Sequence, residues 1–107
     1  MSSEKASKVE DNQLRDYELV IILSPDVEDE AVDAELNNLS QSIIGRGGVV
    51  SEMERWGRRK LAYPIRHFME GDYVLARFRL KPVLCKELEA NLRLSEEVLR
   101  HLLINLS

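Results

Sequence analysis

Between Tyr17 and Leu23 the chain is apolar at both parities of an extended backbone. Tyr17, Leu19, Ile21 and Leu23 alternate with Glu18, Val20 and Ile22. Successive side chains of a strand point to opposite faces, so such a segment needs cover on at least one face and neighbours on both edges. It predicts a strand central in its sheet, around which the remaining elements must arrange themselves.

Ser24-Pro25-Asp26 ends that strand. Val32, Leu36, Leu39 and Ile43 then fall on one stripe at spacings of four, three and four, which predicts an amphipathic helix. Carboxylates in its first turns complement the helix dipole, and Gly45, Gly47 and Gly48 stop it. Val49 to about Lys60 reads as a long strand with an irregularity at Gly57, where a bulge would bend it. Leu61-Ala62-Tyr63-Pro64-Ile65 belongs on an edge or in a turn, because Pro64 has no N–H to donate. Glu70-Gly71-Asp72 is expected as a turn, followed by a strand from Tyr73 to Leu80. Pro82 opens a second helix with Leu84, Leu88 and Leu92 as its stripe and Cys85 beside it; Ser95-Glu96-Glu97 breaks it, and Val98–Leu106 forms a last strand.

The order strand–helix–strand–strand–helix–strand predicts an α+β fold of the ferredoxin-like, split βαβ kind (βαββαβ). It consists of a four-stranded antiparallel sheet with two helices on one face and the first and third strands central. The 107 residues suffice for one domain, burying roughly 65% of the unfolded surface on folding. Residues 1–14, Ser-, Lys- and Glu-rich, are expected as a disordered N-terminal extension, leaving 15–107 as the domain. The single Cys85 rules out an internal disulfide and fits a reducing compartment. No apolar run approaches the roughly 20 residues that span a bilayer, and the N-terminus has no apolar signal core. A cytoplasmic protein without membrane contact is expected.

The net charge is −4, but it is unevenly placed. Residues 26–44 carry Asp26, Glu28, Asp29, Glu30, Asp33 and Glu35 and no cation, which reads as a solvated helix face. Residues 55–81 carry eight cations against Glu70 and Asp72. Within them Trp56-Gly57-Arg58-Arg59-Lys60 sets three consecutive cations beside an aromatic ring. Such a patch suits a polyanion. It also suits protection of an edge strand against aggregation. Consecutive strand residues alternate faces, so all three meet one surface only if the strand bends at Gly57.

Reaction chemistry finds no constellation. His67 and His101 lie in different elements without a Cys or second His at ligand spacing, so no metal site or cofactor is expected. His67 fits the basic patch and His101 a strand surface. Cys85 reads as a buried, inert thiol. Gly45-Arg46-Gly47-Gly48 follows a helix, whereas a phosphate-cradling loop precedes one. An RNA-recognition module of this fold would need exposed aromatics on its central strands; here the outer face would show Val20, Ile22, Tyr73, Leu75 and Arg77, mostly aliphatic. That composition suits a protein partner with RNA at the margins, or packing on residues 1–14 or on a second copy.

Arg15-Asp16-Tyr17-Glu18, the run from Trp56 to Ile65, Gly71-Asp72-Tyr73-Val74-Leu75 and the run from Leu92 to Arg100 resemble the family of the sixth protein of the bacterial small ribosomal subunit, over about residues 15–106. The resemblance implies a ferredoxin-like fold and a non-enzymatic, ribosome-associated role. It further implies binding to the central domain of 16S ribosomal RNA as a heterodimer with the eighteenth small-subunit protein. On that basis Arg15, Arg58, Arg59 and Lys60 are the expected RNA contacts, with Arg66 added from charge alone. Val20, Ile22, Trp56, Tyr73 and Leu75 are the expected surface for the partner protein, and no small-molecule substrate is implied. The family usually starts near the position of Arg15, which makes residues 1–14 an unusual extension. The alternative is a small-molecule-binding regulatory module of the same fold, which needs a polar, Gly-lined interface pocket that the sequence does not display.

Overall fold

A computed structural model describes residues 13–107, so the expectation for residues 1–14 lies outside it except for Gln13 and Leu14. The elements are β1 (Arg15–Leu23), α1 (Asp29–Gly45), β2 (Val49–Ile65), β3 (Phe68–Leu80), α2 (Pro82–Leu94) and β4 (Val98–Asn105). The strands form one antiparallel sheet in the order β2-β3-β1-β4. The first and third strands are therefore central, as their apolar content predicts. Tyr17, Leu19, Ile21 and Leu23 of β1 and Val74, Ala76, Phe78 and Leu80 of β3 face the helices and are buried with Val32, Leu39, Ile43 and Leu88. Tyr17 stacks on Phe78 with ring centroids 5.8 Å apart. Each large side chain taken fully out of water contributes about 1.5–3 kcal/mol, so this layer carries most of the stability.

The stripe predicted for α1 meets the core: Val32, Leu39 and Ile43 are buried and Leu36 packs against them. Asp29 and Glu30 occupy the first turn, where carboxylates favour the positive end of the helix dipole. At the other end Gly47 takes φ +85°, and the N–H groups of Gly47 and Gly48 donate to the carbonyls of Ile44 and Ile43, both at 2.9 Å. This is the Schellman arrangement, and it closes the helix as the glycines predicted. Gly48 has a second duty. A Cβ there would lie 2.6 Å from the Arg79 carbonyl oxygen and 2.7 Å from Ile43 Cγ2, so the lack of a side chain lets the end of α1 press on β3. In α2, Pro82 stands in the first turn, and Leu88 and Cys85 are buried. Burial pushes the Cys85 thiol up, in keeping with an inert sulfur.

The hairpin between β2 and β3 departs from expectation. Glu70-Gly71-Asp72 is not a turn: Lys60 pairs with Glu70, Arg59 with Gly71 and Arg58 with Asp72. The glycine serves a close approach, since a Cβ at Gly71 would lie 2.3 Å from Ile22 Cγ2. The reversal occurs at Arg66 and His67, both left-handed at φ 50° and 56°, so β3 begins at Phe68 and β2 runs on to Ile65. The expected irregularity at Gly57 is present, with φ +90° and a register shift between Arg55 and Gly57. A second one lies between Lys60 and Ile65, where Leu61–Pro64 oppose Met69 alone. Pro64 cannot donate to the ladder, and this stretch bulges away from it. His101 is also displaced from its expected place on the strand surface. It pairs with Ile21, whose side chain faces the helices, and its Nε2 lies 3.1 Å from Glu89 on α2.

Gly48→Ala is expected to destabilise the protein by about 1–3 kcal/mol, because the nearest obstacle is backbone that cannot swing aside; a lower urea midpoint at unchanged m value checks this. Glu35 gives a pH prediction. Desolvation, then a hydrogen bond with Glu97 and repulsion from its charge, raise its pKa from the ordinary value. The folded state thus holds this proton more tightly than the unfolded one, and stability falls as pH rises out of the carboxylate range. The melting temperature of Glu35→Gln should exceed that of the parent at about pH 7 and the two should converge near about pH 4. Equal melting temperatures at neutral pH would contradict it.

Candidate functional site

β1 pairs with β3 only from Asp72 onward, so Phe68–Gly71 have β2 as their one neighbour and the β2–β3 hairpin continues past the sheet as an arm. The bulge at Leu61–Pro64 turns this arm back over the sheet face opposite the helices. Leu61, Tyr63 and Ile65 come to face Val20, Ile22, Tyr73 and Leu102 across a slot of about 290 Å³. Two ties hold it there. The Arg100 guanidinium donates to the Tyr63 phenol oxygen and lies 5.9 Å from its ring centroid, and Arg66 Nη1 donates to the Glu96 carbonyl at 3.1 Å.

The cations predicted as RNA contacts divide by position. Arg58, Arg59 and Lys60 sit on the arm, and Arg66 at its turn. Their side chains alternate, and the bulge at Gly57 does not bring the three to one surface. Arg58 and Lys60 share the parity of Asp72 and Glu70, towards the helix side, where Arg58 Nη2 donates to the Pro25 carbonyl at 2.8 Å. Arg59 takes the outer side, 5.0 Å from the Trp56 ring centroid. Arg15 does not join them. It pairs with Leu80 at the far end of β1, while Arg58 is aligned through Asp72 with Leu23. Eight strand steps, about 26 Å, separate the two positions along the sheet.

Not all of the positive surplus read from residues 55–81 is free. Arg55 holds the buried Asp72 with two hydrogen bonds of 2.6 and 3.1 Å and also reaches Asp29 at 2.8 Å. Its hydrogen bonds to these two carboxylates, Asp72 first, raise its pKa further. Arg77 lies between Glu18 and Glu52, and Arg79 on Asp16. By contrast, Arg58, Arg59 and Arg66 rest on a carbonyl, a ring and a carbonyl, and Lys60 makes no ion pair among the described residues. With Glu70, opposite Lys60, as its one carboxylate, the arm keeps a positive surplus.

The outer sheet face carries the residues predicted for a protein partner. Val20, Ile22 and Tyr73 are half-buried and Trp56 is 39% exposed. Its indole N–H donates to Glu54 at 2.9 Å, which fixes the ring. Leu75 is 2% exposed, sealed between Val20 and Glu54 in the middle of the sheet, and offers a partner almost nothing. Sequence reasoning missed Leu102, Ile104, Tyr63 and Arg100. Leu102 pairs with Val20 and Arg100 with Ile22, which puts both on the outer face. The signal was the alternation within Val98–Leu106, which sets Arg100, Leu102 and Ile104 against His101 and Leu103. Among the described residues no group of His, Cys, Asp and Glu could hold a metal ion, and no helix is long and apolar enough to cross a membrane.

A family model described as ribosomal protein S6 matches residues 16–105. The chain is 42% identical to the small ribosomal subunit protein bS6 of Dehalococcoides mccartyi strain 195, over 99% of this chain and 97% of the relative. That match reaches into residues 1–14, so this relative has a counterpart of the extension. The bS6 of Moorella thermoacetica is 39% identical over 87% of this chain and 95% of its own. Among solved structures, the crystal structure of 30S ribosomal protein S6 from Thermotoga maritima superposes with a TM-score of 0.82 at 33% identity, over 87% of this chain and 88% of that one.

The buried pair at the root of the arm generates a test. Asp72→Ala leaves Arg55 partly buried beside Asp29 alone and should cost about 2–3 kcal/mol, below the ~3–5 kcal/mol of a fully buried pair because Arg55 reaches solvent. In a double-mutant cycle Arg55→Ala should recover part of that loss; strictly additive costs in denaturant titrations would show that the pair is not coupled.

Proposed function

The chain belongs to the ribosomal protein S6 family, a structural component of the small ribosomal subunit, and from that premise we propose that it acts as a two-sided adaptor. Its outer sheet face grips the eighteenth small-subunit protein as a heterodimer. The cations of its arm contact the central domain of 16S ribosomal RNA, in the cytoplasm and on the assembling subunit. Neither a reaction centre nor a cofactor enters this reading.

The observation that carries it is the outer face and its margin. An apolar strip of Val20, Trp56 and Ile104 is flanked by Arg59, held on a ring, and Arg66, held on a carbonyl oxygen, so their charge remains available to phosphate. The apolar strip suits a polypeptide, since charged groups are depleted at the centres of protein interfaces. The acidic α1 lies on the opposite side, where it would repel a phosphate backbone. The protein alone carries a net charge of −4, so the partner must supply further phosphate contacts, and association is cooperative. Arg15 stands apart from the arm and would mark a separate contact on the RNA.

The proposal is tested with the purified pair and a central-domain RNA fragment. Arg58→Glu and Lys60→Glu should each weaken RNA binding, and the slope of log affinity against log salt should fall by about one for each phosphate no longer neutralised. Ile104→Asp should abolish co-elution with the partner protein while leaving the thermal unfolding transition cooperative. Unchanged affinity and slope in the charge-reversal variants would remove the arm from the RNA interface.

A further inference from the structure

The slot beneath the arm differs in charge from the rest of the outer face. Arg77 and Arg79 on that face are matched by Glu18, Glu52 and Asp16. No carboxylate lines the slot. Its walls include Ile22, Leu61, Tyr63, Tyr73 and Leu102, and Arg100 is its one Lys or Arg; His101 also borders the slot, but its ring turns to Glu89 on the helix side. The hydrogen-bond partner of Arg100 among the described residues is the Tyr63 phenol oxygen, and no carboxylate pairs with the guanidinium. Tyr63 is 55% exposed and Leu102 56%, which is substantial open surface for two large apolar residues.

These features specify a ligand. A slot of about 290 Å³ stands at the small end of ligand sites, which run from about 300 Å³ upward, so it admits one compact group and not an extended chain. Phenol rings with aliphatic walls suit a flat, apolar body, and a lone guanidinium at the slot suits an attached anion. An apolar side chain of a protein would fill the walls but leave Arg100 without its counter-charge. We infer that the slot holds one unpaired nucleotide of the RNA, its base lying against Tyr63 and Tyr73 between arm and sheet and its phosphate on Arg100. This rests on the RNA reading above and deepens it, because it adds base contact to an interface otherwise made of phosphate contacts; it assigns Ile22 and Tyr73 to the RNA and leaves Trp56 and Ile104 to the partner protein.

Methyl spectra of the full-length protein test the site directly. Adenosine 5′-monophosphate and a short single-stranded RNA should shift the methyl signals of Ile22 and Leu102, whereas inorganic phosphate alone and the same RNA in duplex should not. With the heterodimer and the RNA fragment, Tyr63→Ala should weaken binding about 5- to 150-fold at unchanged salt slope, as expected for removal of one base stack. Arg100→Gln should lower the slope by about one. Leu102→Trp fills the slot while keeping every arm residue, and should weaken RNA binding even if Tyr63→Ala fails to fold. Absent methyl shifts, with Leu102→Trp binding RNA as the parent does, overturn the inference; if Lys60→Glu still weakens binding, the broader RNA reading survives that failure. Loss of co-elution with the partner protein in Leu102→Trp would make the slot a protein anchor and overturns it equally. If charge reversal on the arm also has no effect, the failure belongs to the RNA reading itself.

Discussion

The molecule is organised by the ladder between β1 and β3, nine aligned pairs from Arg15–Leu80 to Leu23–Asp72. It joins two segments far apart in sequence and sets both central strands in one register. That register puts Leu19, Ile21, Ala76 and Phe78 under the helices and leaves Val20, Ile22, Tyr73 and Leu75 on the other side. A slip of one residue would exchange the two sets and expose the core. Both the hydrophobic interior and the outward apolar strip are therefore products of one alignment.

The arm is a consequence of where that ladder stops. Beyond Asp72 the β3 strand has no β1 to pair with, and Gly71 lets it pass against Ile22 with no side chain between. Arg55 anchors the same point by holding Asp72 and Asp29 together. Just beyond, the bulge at Leu61–Pro64 and the ties from Arg100 and Arg66 return the arm to the sheet. Rigidity at the root and curvature at the tip together set the spacing between apolar strip and cations.

Much of this was legible in the residues. The central strands, the stripes of both helices, the glycine closure of α1, the bulge at Gly57 and the edge position of β2 follow from patterning and backbone chemistry. The hairpin did not, because its local signals point the wrong way. Glu70-Gly71-Asp72 has turn composition but is strand, and the true reversal uses Arg66 and His67, which carry no turn signature. Tertiary packing overrides propensity at both places. The site was partly legible for a related reason. Composition found Arg58, Arg59, Lys60 and Arg66, but a count of charges cannot tell that Arg55 is spent on Asp72, seventeen residues away, or that Arg15 lies at the other end of its strand. Arg100 and Leu102 needed the pairing of β4 with β1 before their face was known.

Cys85 makes the molecule its own reporter. The residue is 4% exposed on the buried side of α2, and burial favours its unreactive thiol form. A water-soluble thiol reagent can reach it only in molecules whose second helix has lifted from the sheet. The labelling rate in native buffer therefore counts those openings, residue by residue silent elsewhere because the sequence has one cysteine. Docking of RNA or a second protein on the far face of the sheet would be heard through the core as a change in that rate, without any probe at the interface.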